Sequence, residues 1–133
     1  MASVEMIPEE EATGQVKEIY EQIKTQLGID FVPNIYKTMA AKPSYLEANW
    51  HKVKAVMVEE GKLDRLSKEI IAVAVSAVNG CDYCLWVHTA AAKKLGLDDE
   101  AIVELMAVVD LFSGFNTLVE GLRIEPDENP WYG

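Results

Sequence analysis

Basic residues are what this chain most lacks. It carries 12 lysines and arginines against 22 aspartates and glutamates, a formal net charge of -10. That balance excludes a nucleic-acid partner and an anionic membrane surface, because phosphate binding needs a basic footprint. Long apolar runs are absent too. The longest uninterrupted stretch is IIAVAV, residues 70–75, far short of the roughly 20 residues of a membrane span. The opening MASVEMIPEEEATG has neither the basic segment nor the apolar segment of a signal peptide. A cytoplasmic location is therefore expected, with no membrane partner. Sustained strand alternation is missing throughout, which leaves helices. There are only two cysteines and two histidines. In a reducing compartment, two cysteines three positions apart point to reactive or metal-binding thiols rather than a structural staple.

What is present is helical period over a chain of 133 residues, half of them hydrophobic. That length suits one domain, residues 1–133, with a sizeable core. EEATGQVKEIYEQIKTQLG places Val16, Ile19, Tyr20, Ile23 and Leu27 on one stripe, with acidic residues at its start and Gly28 as its cap. A short helix follows Pro33 and stops before Pro43. SYLEANWHKVKAVMVEEG carries Leu46, Trp50, Val53, Val56 and Met57 at helical spacing, and Gly61 is expected to close it. A fourth helix spans about 64–78. Its later part, IIAVAVSAV, is apolar nearly all round, which predicts burial on most sides. Asn79-Gly80 breaks it, since both tolerate left-handed backbone. The fifth helix runs from near Cys81 to Leu95. A sixth, DDEAIVELMAVVDLFSGFNTLVEGL, is expected to kink around Ser113-Gly114, and Trp131 and Tyr132 in the tail are expected to pack on a neighbour. The fold class is all-α, a bundle of about six to seven helices.

The segment NGCDYCLWVHTAA, residues 79–91, concentrates the chemistry. At 100° per residue Cys81, Cys84 and His88 point at about 0°, 300° and 340°, one narrow face that continues through Ala91, Ala92 and Leu95. Cys81 lies in the first turn, where free N–H groups and the positive dipole end favour a thiolate. A Cys-x-x-Cys pair there can cycle between dithiol and disulfide. Cys84, one turn deeper, needs a base, and His88 stacks above it. Glu69 is the only carboxylate on the long apolar stretch of the preceding helix. Folding the hairpin about Asn79-Gly80 brings it near His88, and its burial predicts a raised pKa. Glu69–His88–Cys84 thus reads as a proton relay, with Tyr83 and Trp86 flanking the site. Each residue also has an ordinary reading: a coincidental Cys-x-x-Cys, a satisfied core histidine, a first-turn carboxylate. His51 reads as surface or interface. The acidic clusters Glu9 to Glu11, Glu59-Glu60 and Asp98 to Glu100 read as solvated helix ends.

Glu69, then Cys81-Asp82-Tyr83-Cys84 twelve to fifteen positions later, then His88, resemble the active-site signature of the alkylhydroperoxidase AhpD-like, or carboxymuconolactone decarboxylase, superfamily. SKEIIAVAVSAVNGCDYCLWVHTAAAKKLG, with FVPNIYKTMA before it and DLFSGFNTL after it, looks like the peroxidase-related branch over roughly residues 8 to 122. The resemblance implies an AhpD-like helical fold, assembly as a homo-oligomer (trimer or hexamer), and thiol chemistry with no cofactor and no metal. It implies Cys84 as the peroxidatic cysteine that becomes a sulfenic acid. Cys81 would resolve it to a disulfide and exchange with an external dithiol or reductant protein; Glu69 and His88 would relay protons. Tyr83 stands where the best-studied peroxidases of the family carry a second histidine, and a phenol does not shuttle protons near neutral pH as imidazole does. The function expected is thus thiol-dependent reduction of a hydroperoxide. Two alternatives remain: a lactone decarboxylase or isomerase, which nothing here supplies with a carboxylate-binding basic cluster, and a redox-sensing or metal-binding module, for which thiolates, imidazole and carboxylate could ligate zinc.

Overall fold

Capping residues and left-handed glycines divide the chain into helices at the places where the apolar period breaks. The structure, a computed structural model, describes residues 1–127, so Trp131 and Tyr132 lie outside the described residues. Among these residues it is all-helical, with six α-helices: α1 (Gly14–Leu27), α2 (Asn34–Met39), α3 (Pro43–Val53), α4 (Arg65–Asn79), α5 (Asp82–Lys94) and α6 (Asp99–Leu122). The chain packs as two compact units, residues 1–62 and residues 63 onward.

In the first unit the stripe read from α1 is the core-facing one. Val16, Ile19, Tyr20 and Ile23 are buried against Val32, Tyr36 of α2, and Leu46 and Trp50 of α3, with Leu27 packed on their rim. The polar ends of the large rings are satisfied, as burial demands. Trp50 Nε1 donates to Gln22 Oε1 at 3.0 Å and Tyr20 donates to the Ile7 carbonyl at 2.8 Å. Glu9 to Glu11 form a separate 3₁₀ turn rather than the first turn of α1. Glu9 is more than a solvated end: it accepts the Val32 N–H at 3.2 Å and pairs with Lys24 at 3.0 Å. Beyond α3 the chain widens into a π-helical turn, Lys54–Val58. The helical run therefore stops three residues before Gly61, where Glu59 turns to extended backbone.

The second unit is α4, α5 and α6, with both α5 and α6 packed on α4. Asp64 caps α4 by accepting the Ser67 N–H at 2.7 Å, and Asp98 caps α6 through Ala101 N–H at 2.9 Å. Two expectations fail here. α4 is not buried on most sides: only Glu69, Val73 and Ser76 are, while Ile71, Val75 and Val78 are 49%, 52% and 65% exposed. And α6 runs unbroken through Ser113-Gly114. Its residues Ala101, Ile102, Leu105, Met106 and Val109 are half-buried, whereas every residue from Asp110 to Leu122 is exposed. α6 is also long and apolar enough to cross a membrane by length and composition, with none of its most apolar window buried. It contains no long uninterrupted apolar run, because Glu104 and Asp110 break the pattern.

Candidate active site

The α4–α5 hairpin builds the site, and its turn is made by backbone bonds that the sequence specifies. Gly80 takes the left-handed conformation, φ 69° and ψ 35°. Its N–H bonds the Ala77 carbonyl and the Cys81 N–H bonds the Ser76 carbonyl at 3.0 Å. These two bonds are the Schellman pattern, which needs a residue free of a Cβ penalty at this position. The same turn makes Cys81 the N-cap of α5. Its Sγ accepts the Cys84 N–H at 3.3 Å.

Opposite the turn, α4 phases Arg65, Glu69, Val73 and Ser76 onto one side. Glu69 is 1% exposed and spends both oxygens. Oε2 lies 2.6 Å from His88 Nδ1 and Oε1 accepts Arg65 Nε–H at 2.9 Å. Burial pushes its carboxyl up, but hydrogen bonds from His88 and Arg65 together with their charge outweigh it, and the net direction is down. The raised pKa expected from burial alone is thus corrected: Glu69 is an ionised acceptor. An ionised carboxylate only accepts, so Nδ1 of His88 carries the proton and donates it. In the neutral ring Nε2 then holds the lone pair.

The two thiols are free and half-buried. They share a hydrogen bond whose direction sets their acidity. The Cys81 thiol is lowered by the Cys84 side chain and by the Cys84 backbone N–H. The Cys84 thiol is raised by its bond to Cys81, by burial and by the charge on Cys81. In the reduced pair Cys81 is therefore the more acidic thiol and Cys84 the one that holds its proton more tightly.

All four residues singled out in the sequence thus lie on one hairpin, but as two hydrogen-bonded units. Glu69 and His88 are joined, and so are Cys81 and Cys84. Among the described residues no hydrogen bond links His88 to either thiol. Tyr83 and Trp86 are 41% and 69% exposed. His51 is on the surface, its Nε2 3.9 Å from Glu47. No three groups among His, Cys, Asp and Glu gather into a metal cluster among the described residues. The residue that sequence reasoning missed is Arg65. Its signal was there, an Arg four residues before a Glu on one helix face.

The carboxymuconolactone decarboxylase family profile matches residues 43–124, which hold α3 to α6 and the whole hairpin. The chain belongs to this family. Its fold is that of the crystal structure of the alkylhydroperoxidase AhpD core from Rhodospirillum rubrum, 39% identical, with a TM-score of 0.91 over 96% of each chain. Relatives differ in what they are named for. An (R)-2-haloacid dehalogenase of Pseudomonas putida is 31% identical over 80% of this chain and 35% of its own length. The alkyl hydroperoxide reductase AhpD of Rhodococcus erythropolis is 25% identical over 78% of this chain and 60% of its own. The chain spans between about a third and three fifths of the length of these two curated relatives.

Proposed function

We propose that the hairpin is a thiol-dependent peroxidase centre. The observation that carries this reading is the hydrogen-bonded dithiol at the α5 N-terminus, one thiol lowered and one raised, on the same hairpin as the Glu69–His88 hydrogen bond. Similarity to two proteins named alkylhydroperoxidase or alkyl hydroperoxide reductase supports it. In this reading Cys84 passes its proton to the Cys81 thiolate or, through a bridging water or the substrate, to His88 Nε2. The Cys84 sulfur attacks the terminal oxygen of a hydroperoxide, the O–O bond breaks, and the alcohol or water leaves with a proton. Cys84 is then a sulfenic acid. Cys81 attacks its sulfur, the S–O bond breaks, and water leaves as the disulfide forms. An external dithiol or a reductant protein returns two electrons and two protons to the pair, and is itself oxidised to its disulfide. No cofactor or metal takes part.

The chain is further proposed to work as a homo-oligomer. Val108, Leu111, Phe112, Phe115, Leu118, Val119 and Leu122 recur on α6 with the three-and-four spacing of a helix–helix seam, all of them about half exposed or more. Asp110, Asn116 and Glu120 lie off that stripe, and a bilayer is a poor environment for their polar groups. A second copy is the better occupant.

The test is hydroperoxide consumption with a generic dithiol. Wild type is expected to turn over, Cys84→Ser to be inactive, and Cys81→Ser to complete one reaction per subunit. Turnover by Cys84→Ser sinks the assignment of roles, and turnover by the double variant sinks the thiol reading. The similarity to the haloacid dehalogenase favours a second reading, hydrolytic release of halide from a 2-haloacid. Halide release that survives loss of both cysteines would select it.

A further inference from the structure

Arg65 has been assigned no part in the chemistry, yet it holds one of the two acceptors of the only fully buried carboxylate among the described residues of its unit. Its side chain is 37% exposed, so packing alone does not require a guanidinium at this place. A surface pair at four-residue spacing is ordinarily worth little. This one differs because the partner oxygen is buried and its sister oxygen holds the histidine.

We propose that Arg65 is a positioning residue for His88: by binding Oε1 of Glu69 it keeps that carboxylate charged and oriented, so that Oε2 holds the Nδ1 proton and His88 presents Nε2 as the site's proton acceptor. The argument runs through valence. A protonated Glu69 would have one oxygen that donates, and it could satisfy His88 only by accepting on one oxygen or by driving the ring into the other tautomer. The second tautomer carries its proton on Nε2 and cannot accept one there. A guanidinium at 2.9 Å makes the protonated carboxyl costly, because it would face an N–H donor with an O–H. The groups acting on Glu69 are Arg65 from its own helix and His88 from α5. Asp99, Glu100, Glu104 and Asp110 of α6, the other element on α4, are exposed and make no hydrogen bond or ion pair with it.

As a statement about proton transfer to and from Cys84 this rests on the peroxidase reading; as a statement about the tautomer of His88 it does not. The experiment therefore reads the tautomer first. Carboxyl-carbon and imidazole-nitrogen NMR would follow Glu69 and His88 through an acid titration in full-length wild type, Arg65→Met and Arg65→Lys. In Arg65→Met the Glu69 midpoint is expected to rise by about one pH unit, the lower end of the range for an opposite charge within 4–6 Å given the exposure of Arg65. The Nε2-protonated form of His88 should grow at the expense of the Nδ1-protonated form. Arg65→Lys, which restores the charge without the Nε–H, should bring the midpoint back toward wild type. A purely structural Arg65 would lower the melting temperature and leave both signals in place, and that result overturns the proposal. So does a full rise that lysine fails to reverse. If wild type consumes no hydroperoxide but the midpoint moves, the peroxidase reading falls and this one stands. If wild type is active, the acid limb of its rate profile should move upward in Arg65→Met by the same interval as the Glu69 midpoint, and an unmoved limb refutes the link to catalysis.

Discussion

Glu69→Gln keeps the shape of the site and removes its charge, which makes its cost calculable. Glu69 accepts two hydrogen bonds, each strengthened by its own charge, from Arg65 at 2.9 Å and His88 at 2.6 Å. Glutamine offers one acceptor and one NH₂. If its oxygen stays on Arg65, its NH₂ meets the Nδ1 proton of His88, and one charge-assisted bond is lost, worth about 1.5–3 kcal/mol. The histidine has one escape: it can move its proton to Nε2 and accept the amide at Nδ1. That relieves part of the cost and removes the acceptor at Nε2. At neutral pH the variant should therefore be less stable by about 2 kcal/mol, a fall in melting temperature of roughly 5–10 °C for a chain of this size. Both proteins would be compared at one concentration, because association shifts the apparent value.

The pH dependence is the sharper half of the prediction. The folded pKa of Glu69 lies below its ordinary value of 4.5. A depressed carboxylate contributes stability that is complete above the unfolded pKa and is lost as pH falls through the folded one. The gap between wild type and Glu69→Gln should thus be constant from pH 7 to about 5 and close progressively below that. Denaturant melts at a series of pH values measure it. A gap that stays flat down to pH 3 would mean that Glu69 is not ionised in the folded protein, and the account of His88 would fall with it.

Removing the cap in Asp64→Ala should cost about 1 kcal/mol by freeing the Ser67 N–H, read from denaturant midpoints at unchanged slope. Cys81→Ser should lower the midpoint of Cys84 alkylation, since the bond to Cys81 and the charge on it both raise that thiol; a midpoint that rises would refute the shared-proton picture. Phe115→Glu places a charge in the exposed stripe of α6 and should shift the mass seen by light scattering toward the single chain. An unchanged mass removes α6 from the interface.

The meeting of Glu69 and His88 was legible because it follows from period and turn alone. Two helices reversing at Asn79-Gly80 bring positions at similar distances from the turn together, and a Schellman turn makes the reversal tight. The stripe of α1 was legible for the same reason. Burial of α4 was not, because apolar residues on all sides of a helix say only that each side is meant to be covered. They do not say whether the cover is the same chain, and Ile71, Val75 and Val78 are bare in this one. The acidity of Glu69 was misread because burial and partnership pull in opposite directions. His88 and then Arg65 together outweigh the burial. The kink anticipated at Ser113-Gly114 failed because glycine merely weakens a helix, and Thr117 donating to the Ser113 carbonyl at 3.0 Å uses a bond that the helix tolerates.

The separation of the site into two hydrogen-bonded units bears on how a peroxidase of this kind would rest without damage. The oxidisable form of a cysteine is its thiolate. Here the bond to Cys81 raises the Cys84 thiol and so favours its protonated form, while His88 is tied to Glu69 and bonded to neither sulfur. A standing His88–Cys84 bond would instead hold Cys84 partly ionised at all times and open to any oxidant. With the last link of the relay unmade, Cys84 is activated only when a water or a substrate oxygen completes it. Adding such a bridge costs little, since a water-mediated hydrogen bond is nearly as favourable as a direct one. Full activation of Cys84 then requires an occupied site. The rate of Cys84 alkylation by a small neutral reagent should accordingly stay low up to the midpoint set by Cys81, with no inflection from His88. An inflection that disappears in His88→Gln would show the relay already closed in the empty protein.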